Sequence, residues 1–227
     1  MGKPLWMVPP RWSRWLYPGA CWRVPTASPT VFLTFDDGPT PEVTPWVCEQ
    51  LAKYGMKATF FCIGQNVEQA PDIMRQLEAE GHAVANHSMC HVKGWSTPTA
   101  AYIADVMACQ KVLEPYANVL HDWFRPPYGK CTPWQQFQLL RQGKRLLLWD
   151  FLTYDYDARV DPQAVMYWAK QMIRPGSIVV MHDSRKAFEQ LRVLLPALLA
   201  HLQQRGFKAE VLPSALFLHQ SNQRIGI

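Results

Sequence analysis

The stretch TVFLTFDDGP, residues 30–39, joins an apolar run to two adjacent acids and a turn. The β-branched and aromatic residues of the run predict a buried strand, and Gly-Pro is typical of the turn that ends one. Asp36 and Asp37 repel each other, so placing both at the end of a buried strand is costly unless other groups offset them. Groups at the ends of the other strands are the expected partners of these two acids.

The same alternation of apolar runs and amphipathic stretches continues to the end of the chain and predicts repeated βα units. The pattern predicts seven strands, at 30–35, 58–63, 82–86, 119–124, 146–151, 177–181 and 208–212. It predicts helices at about 42–54, 66–80, 98–114, 132–142, 161–173 and 185–204. These elements indicate an α/β protein with a parallel barrel or an open parallel sheet.

The 227 residues, 48% hydrophobic and 18% charged, are typical of one folded globular domain. We expect an N-terminal arm at 1–29, a main folded domain at 30–215 and a C-terminal tail at 216–227. The six cysteines fall mostly inside predicted elements, and we interpret them as reduced thiols.

The N-terminal arm is rich in tryptophan, proline and arginine. Residues 1–35 hold four basic residues and no acidic one, together with four of the ten tryptophans. Tryptophan with arginine suits peripheral contact with a membrane, whereas an arm that packs into a groove of the domain is the structural alternative. The prolines prevent a long amphipathic helix and favour the second interpretation. No basic stripe continues through the body, so nucleic acid is not an expected partner.

No uninterrupted apolar stretch marks a secretion signal or a membrane span. The chain is therefore expected in the cytoplasm or at the inner face of the membrane. We also expect it to be a monomer.

Polar residues follow the predicted strands at their carboxyl ends. They are Asp36 and Asp37, His87 and His91, Arg125, Asp155 and His182. In parallel α/β folds the loops at this rim converge, so the residues of five loops can meet at one site.

His87 and His91 lie four residues apart, and a single helical turn would point both rings the same way. Ser88 stands where a zinc protease carries its glutamate, so that mechanism lacks its base. A carboxylate from Asp36 or Asp37 would complete a three-ligand site for a divalent metal, leaving the other to act as a base. The structural alternatives are two solvent-facing histidines and a simple Asp-Gly-Pro turn.

His182 emerges from a short buried strand, where an unpaired titratable group is costly. Paired with Asp155, it could serve as a general acid. Arg125 could hold a carboxylate, and the loop PPYG at 126–129 could present a backbone N–H to an oxyanion. We interpret Asp150, Asp157 and Asp183, also near the rim, as caps or loop hydrogen-bonding residues.

Together these motifs resemble the polysaccharide deacetylases of carbohydrate esterase family 4, the NodB-homology domain. The resemblance covers residues 30 to about 212 in five motifs: TFDDGP, HSMCH at 87–91, RPPYG at 125–129, Asp155-Tyr156 and VMH at 180–182. It implies a distorted, partly open (β/α) barrel of about seven parallel strands.

The resemblance also implies the chemistry, a metal-dependent removal of N-acetyl groups from N-acetylglucosamine units of a polysaccharide or its precursor. Asp37, His87 and His91 would bind the metal, with zinc favoured over cobalt, nickel or manganese. Asp36 would be the base, oriented by Arg125, and His182 the acid, tuned by Asp155. The Tyr128 N–H would hold the oxyanion.

Two motif positions depart from the family pattern. Tyr156 replaces the usual tryptophan, and Val180 replaces the usual leucine two residues before the histidine. Both positions line the family's acetyl pocket, so these residues are predicted to contact substrate. We expect the two replacements to change the preference for the acyl group or the sugar. The alternatives are a hydrolase of cyclic or other non-sugar amides, and a non-catalytic sugar-binding scaffold.

Overall fold

A computed structural model of the protein describes residues 7–10 and 12–214. The predicted tail at 216–227 and the first six residues of the arm lie outside this range. Within it, no helix is both long enough and apolar enough to cross a bilayer.

The strands form one curled parallel sheet. They are β1 Thr30–Asp36, β2 Ala58–Cys62, β3 Ala83–Asn86, β4 Val119–Phe124, β5 Arg145–Leu146, β6 Phe151–Leu152, β7 Ile178–His182 and β8 Lys208–Ala209. Their order is β5-β4-β3-β2-β1-β7-β6, with β8 added beside the start of β1. The predicted fold, a distorted and partly open barrel of about seven parallel strands, is confirmed.

Strand β1 lies in the middle of the sheet, and all seven of its residues are buried. It pairs with β2 on one side and with β7 on the other, in a register that sets Asp36 directly beside His182. Two polar groups that are 146 positions apart in sequence thus become neighbours at the rim.

The strand predicted at 146–151 is wrong as a single element, because it forms two short strands. Its beginning pairs with β4, and its end pairs with β7 at the opposite edge of the sheet. The intervening residues cross the gap between the edges, so one apolar run serves both. Periodicity cannot reveal such a change of partner, since both halves are equally apolar.

The helices are α1 Ser13–Leu16, α2 Val43–Lys53, α3 Gly64–Gln69, α4 Pro71–Ala79, α5 Thr99–Leu113, α6 Pro133–Arg141, α7 Pro162–Met172 and α8 Phe188–Gln204. The single helix predicted at 66–80 is wrong. Pro71 disfavours a helical residue before it, and Ala70 (φ −133°, ψ 55°) separates two helices there. The other predicted helices are present with ends shifted by three residues or fewer.

The described part of the arm fills the gap between the sheet edges. Cys21 donates its N–H to the Leu146 carbonyl (2.9 Å) and accepts from the Leu148 N–H (2.8 Å), so it pairs beside β5 like a strand residue. Further along, the Val24 N–H donates to the Gly176 carbonyl (2.9 Å), next to β7. The interpretation that the arm packs on the domain therefore describes this part of it.

Apolar side chains pack on both faces of the sheet. A large cluster lies between the sheet and the helices, and a smaller one, including Phe32, Phe61, Trp123 and Ile178, fills the barrel interior. Because side chains alternate along a strand, Phe32, Thr34 and Asp36 share one face of β1, and Ile178, Val180 and His182 share one face of β7. The site residues therefore stand on top of a packed barrel core.

Candidate metal and acid–base site

Three potential metal ligands meet at the rim. Asp37, His87 and His91 each offer a ligand atom, and the three atoms lie within 4.8 Å of one another. The Asp37 Oδ1 atom is 3.6 Å from His87 Nε2 and 3.2 Å from His91 Nε2. Asp37 follows β1 in the left-handed region (φ 79°), a strained conformation that is typical of functional sites.

The two histidines converge on a loop and not on a helical turn. In residues 87–91, Ser88 (φ 70°) and His91 (φ 53°) are both left-handed. The ring centroids are 5.2 Å apart. The spacing of four residues therefore brings the two rings together through the path of this loop.

The tautomer of His87 suits metal binding. Its Nδ1 atom lies 2.8 Å from the Arg125 carbonyl, which can only accept, so Nδ1 carries the proton. The Nε2 lone pair is therefore free and faces Asp37 and His91. Burial lowers the pKa of His87 to about 4, so the ring is neutral at physiological pH. Two imidazoles with one carboxylate are a donor set that zinc and similar divalent ions accept.

A second group, Cys48, Glu80 and His82, has similar spacing but does not fit a metal. The Ala58 N–H donates to His82 Nδ1 (3.2 Å), so in the neutral ring the proton lies on Nε2. That nitrogen faces the Glu80 carboxylate at 3.7 Å and has no free lone pair for a metal. The contrast with His87 lies in the hydrogen bond at Nδ1.

Asp36 is held by Arg125. Arg125 Nη1 donates to Asp36 Oδ1 at 2.5 Å and to Thr34 Oγ1 at 2.9 Å, while its other nitrogens donate to the Leu147 and Leu148 carbonyls. The guanidinium is fully buried and stacks 4.0 Å from the centroid of Phe61. Burial lowers the pKa of Arg125, and the Asp36 charge opposes that shift. The buried cation thus offsets one of the two adjacent carboxylates.

His182 is oriented by Asp155. The Asp155 carboxylate accepts from the His182 Nδ1–H (2.8 Å) and from its backbone N–H (2.7 Å). Burial would lower the pKa of His182, but the Asp155 charge and hydrogen bond outweigh it and raise the pKa to about 9. The ring is therefore a cation at neutral pH, with Nε2–H free to donate.

Tyr128, Tyr156 and Val180 surround these groups differently. Tyr128 is left-handed (φ 59°) and half-exposed, with its ring 4.8 Å from that of His91. The Tyr156 ring meets His182 edge-on at 4.8 Å. Val180 is only 1% exposed and lies below His182 on the same face of β7. If Val180 contacts substrate as predicted, it would do so as part of the floor of the pocket.

Sequence reasoning missed the role of Thr34 and the contact of Asp183 with Asp36. Thr34 accepts from Arg125, and its own hydroxyl donates to the Val179 carbonyl (2.9 Å). Asp183, interpreted as a cap or a loop hydrogen-bonding residue, accepts from the Thr44 hydroxyl (2.5 Å), and its backbone N–H donates to the Asp36 carbonyl (3.1 Å). The available signal was polarity inside buried strands, which Thr34 shares with many residues that have no such role.

Known proteins with a similar sequence and a similar fold include deacetylases. The family described as polysaccharide deacetylase matches residues 23–141. A chitooligosaccharide deacetylase of Bradyrhizobium sp. is 33% identical over 81% of this chain and 89% of its own length. A solved peptidoglycan N-acetylglucosamine deacetylase superposes with a TM-score of 0.80 at 26% identity, covering 89% of this chain and 94% of the other.

A mutant of a family pseudoenzyme with restored enzymatic activity is also similar in structure. Its TM-score is 0.74 at 26% identity, over 87% of this chain and 71% of the other. Fold likeness therefore extends to pseudoenzymes, and activity must be argued from the site. With the family match covering more than half of its residues, this chain belongs to the polysaccharide deacetylase family.

Proposed function

We propose that this protein hydrolyses the N-acetyl group of N-acetylglucosamine units in a peptidoglycan-type polysaccharide or its precursor. One observation supports this most strongly. The three-ligand group at Asp37 lies beside Asp36 and His182, whose electrostatic surroundings differ. Asp36 is paired with an arginine, whereas His182 is paired with a carboxylate. Amide hydrolysis needs those parts together: a metal, a base and a separate acid.

Asp37, His87 and His91 would hold the divalent ion, and zinc is the ion we propose. When bound, it would polarise the amide carbonyl and acidify a water molecule. His87 is fixed in the correct tautomer by Arg125, so the same arginine residue supports both the ligand and the base.

Asp36 would take a proton from the water molecule as the oxygen atom of that water attacks the carbonyl carbon. The Tyr128 N–H would donate to the oxyanion that develops on the former carbonyl. His182 would then give its Nε2 proton to the amide nitrogen as the C–N bond breaks. The products are acetate and a free amino sugar, and Asp155 would stabilise His182 in its charged form before the transfer.

Variants of Asp36 and of the ligand His87 test this assignment. Asp36→Asn keeps the size of the side chain and does not touch the three ligands, so metal content should stay near that of the parent while acetate release falls by at least about a hundredfold. His87→Ala should lose both metal and activity. Full activity in metal-loaded Asp36→Asn would contradict the role of Asp36 as the base.

Tyr156 and Val180 are where substrate preference would be set. Both keep an apolar surface next to His182, which favours retention of an acetyl pocket. Their departure from the family pattern is also the observation that favours the second candidate, a hydrolase of cyclic or other non-sugar amides. Acetate release from chitooligosaccharides or peptidoglycan fragments, followed by mass spectrometry with and without chelator, separates the two.

We also propose that the protein is a monomer, that it acts inside the cell or at the inner face of the membrane, and that the arm contacts that membrane. Exposed Trp15 supports the membrane contact. A precursor made at the inner face would reconcile an intracellular enzyme with a polymer that lies outside.

A further inference from the structure

One face of the protein exposes large apolar side chains from two distant segments. On the arm, Trp15 is 87% exposed and Leu16 is 48% exposed. On α6, Trp134 (56%), Phe137 (47%) and Leu140 (50%) lie at a spacing of three residues and so occupy neighbouring positions on the outward side of the helix. We call these five residues the aromatic face.

The two segments lie side by side. Gln136, on the flank of α6, donates its side-chain N–H to the Pro18 carbonyl at 2.6 Å. The buried hydroxyl of Tyr17 accepts from the backbone N–H of Cys131 at 3.4 Å, just before α6 begins. Trp134 and Phe137 stack on each other, with centroids 5.2 Å apart. The two segments that carry the exposed apolar residues therefore lie next to each other at the surface.

The two segments that carry the aromatic face are also rich in basic residues and lack acidic ones. Residues 12–35 and 125–149, which supply the aromatic face, contain seven basic residues and no acidic residue, and two of the seven, Arg125 and Lys144, are buried. Arg14, Lys130 and Arg141 from these segments are exposed to solvent. The basic character that the sequence indicated for the arm thus continues on a second segment that packs against it.

Anionic lipid is the partner whose chemistry matches both properties. Tryptophan and arginine are stable at the interface between headgroups and acyl chains, and the aliphatic tips of Leu16 and Leu140 can enter the acyl region. A neutral glycan would stack on the rings but would gain nothing from the aliphatic tips or from the absence of acids. Among the residues that the structure describes, these five side chains face outward from the domain core.

We infer that the aromatic face docks on the surface of an anionic phospholipid bilayer. Helix α6 begins eight residues after Arg125, so its Trp134 end lies on the same rim as the candidate site. Docking would hold the mouth of that site next to the headgroups, where a lipid-linked or membrane-adjacent glycan would reach it. The binding itself does not depend on the reaction.

Vesicle flotation with the full chain tests this inference. The protein should float with vesicles made of equal parts phosphatidylcholine and phosphatidylglycerol, and stay unbound with phosphatidylcholine alone. The pair Trp15→Ser and Phe137→Ser should lower the partition coefficient about tenfold or more. The pair Arg14→Gln and Arg141→Gln should lower it about thirtyfold at low salt.

Tyr167→Ser with Val193→Ser is the matched control, since these residues are 45% and 59% exposed on α7 and α8. It should leave flotation unchanged, and acetate release from a soluble chitooligosaccharide should be the same in all variants. Equal binding to both vesicle types, equal loss in the control pair, or retention on insoluble chitin in place of vesicles would overturn the inference. Flotation without any deacetylase activity would contradict the proposed reaction and leave the docking surface supported.

Discussion

His182 is held as a cation by one buried carboxylate, and this has consequences for both activity and stability. The pKa is about 9 because the Asp155 charge outweighs the cost of burial. Since the folded-state pKa lies above the unfolded value of about 6.5, the stabilisation is fully present below about pH 6.5 and is lost as the pH rises through about 9. The acid required for catalysis is lost over the same upper range.

We therefore expect kcat to fall as the pH rises through about 9, with Asp155→Asn moving that basic limb down to about 6.5 or lower. The asparagine keeps the size of the side chain but removes its charge, so burial then dominates. A pH–rate profile of the two proteins measures the shift. A basic limb that does not move would show that another group sets it.

Gly38 and Asp183 form a steric pair beneath the two catalytic-site aspartates. A Cβ atom on Gly38 would lie 2.0 Å from Asp183 Oδ2 and 2.5 Å from its Cγ, although the backbone of Gly38 is not left-handed. Asp183 is fully buried and hydrogen-bonded to Thr44, so it cannot swing away freely. The absence of a side chain at 38 therefore keeps the loop in place.

Gly38→Ala should destabilise the protein by about 2–4 kcal/mol and weaken metal binding, because the loop carrying Asp37 must shift. Asp183→Ala removes the obstructing carboxyl, so the double variant should be more stable than Gly38→Ala. Urea unfolding and metal titration of the four proteins make a complete cycle. Additive effects of the two changes would argue against a direct clash.

The arm residue Cys21 acts as an inserted strand residue, and its backbone is what matters. Cys21→Pro removes the N–H that bonds to Leu146, and should lower the free energy of unfolding by about 2–3 kcal/mol. Cys21→Ala retains both backbone bonds and loses only a half-buried thiol, so it should cost about 1 kcal/mol or less. Denaturant melts of the two variants compare backbone with side chain directly. Similar losses in both would show that the side chain carries the effect.

Elements that are uninterrupted and keep the same neighbours along their length could be predicted from the sequence. Elements that change partner or are interrupted could not. Strand β1 is buried along its whole length and helices α5 to α7 each bury one side, and the ends of these four elements shift by one residue or less. The run at 146–151 changes partner halfway, and the stretch at 66–80 is broken by Pro71. The loop from His87 to His91 depends on left-handed residues that no apolar pattern records. The polar groups themselves were identifiable because each lies at or after the end of a predicted strand, whereas Thr34 supports the site from inside β1.

For the molecule as a whole, metal binding should add to stability. The three ligands come from the ends of β1 and β3, so an ion bound to the folded chain would be released on unfolding. Zinc at a hundredfold excess over its Kd should raise the free energy of unfolding by about 2.7 kcal/mol. Thermal melts with zinc and with chelator measure this difference. His91→Ala should show little of it, and an equal shift in that variant would place the stabilising ion elsewhere.

The central position of β1 affects the order in which the chain can assemble during synthesis. Its partner β2 and all three metal ligands lie within the first 91 residues, whereas its other neighbour, β7, ends at residue 182. A nascent chain therefore carries the complete ligand set long before it carries the proton donor. Pairing β1 with β7 closes a loop of about 140 residues, which makes it a late and slow event. We expect ribosome-bound chains that end before β7 to hold metal and to lack catalysis, so that competence arrives only with the last quarter of the polypeptide.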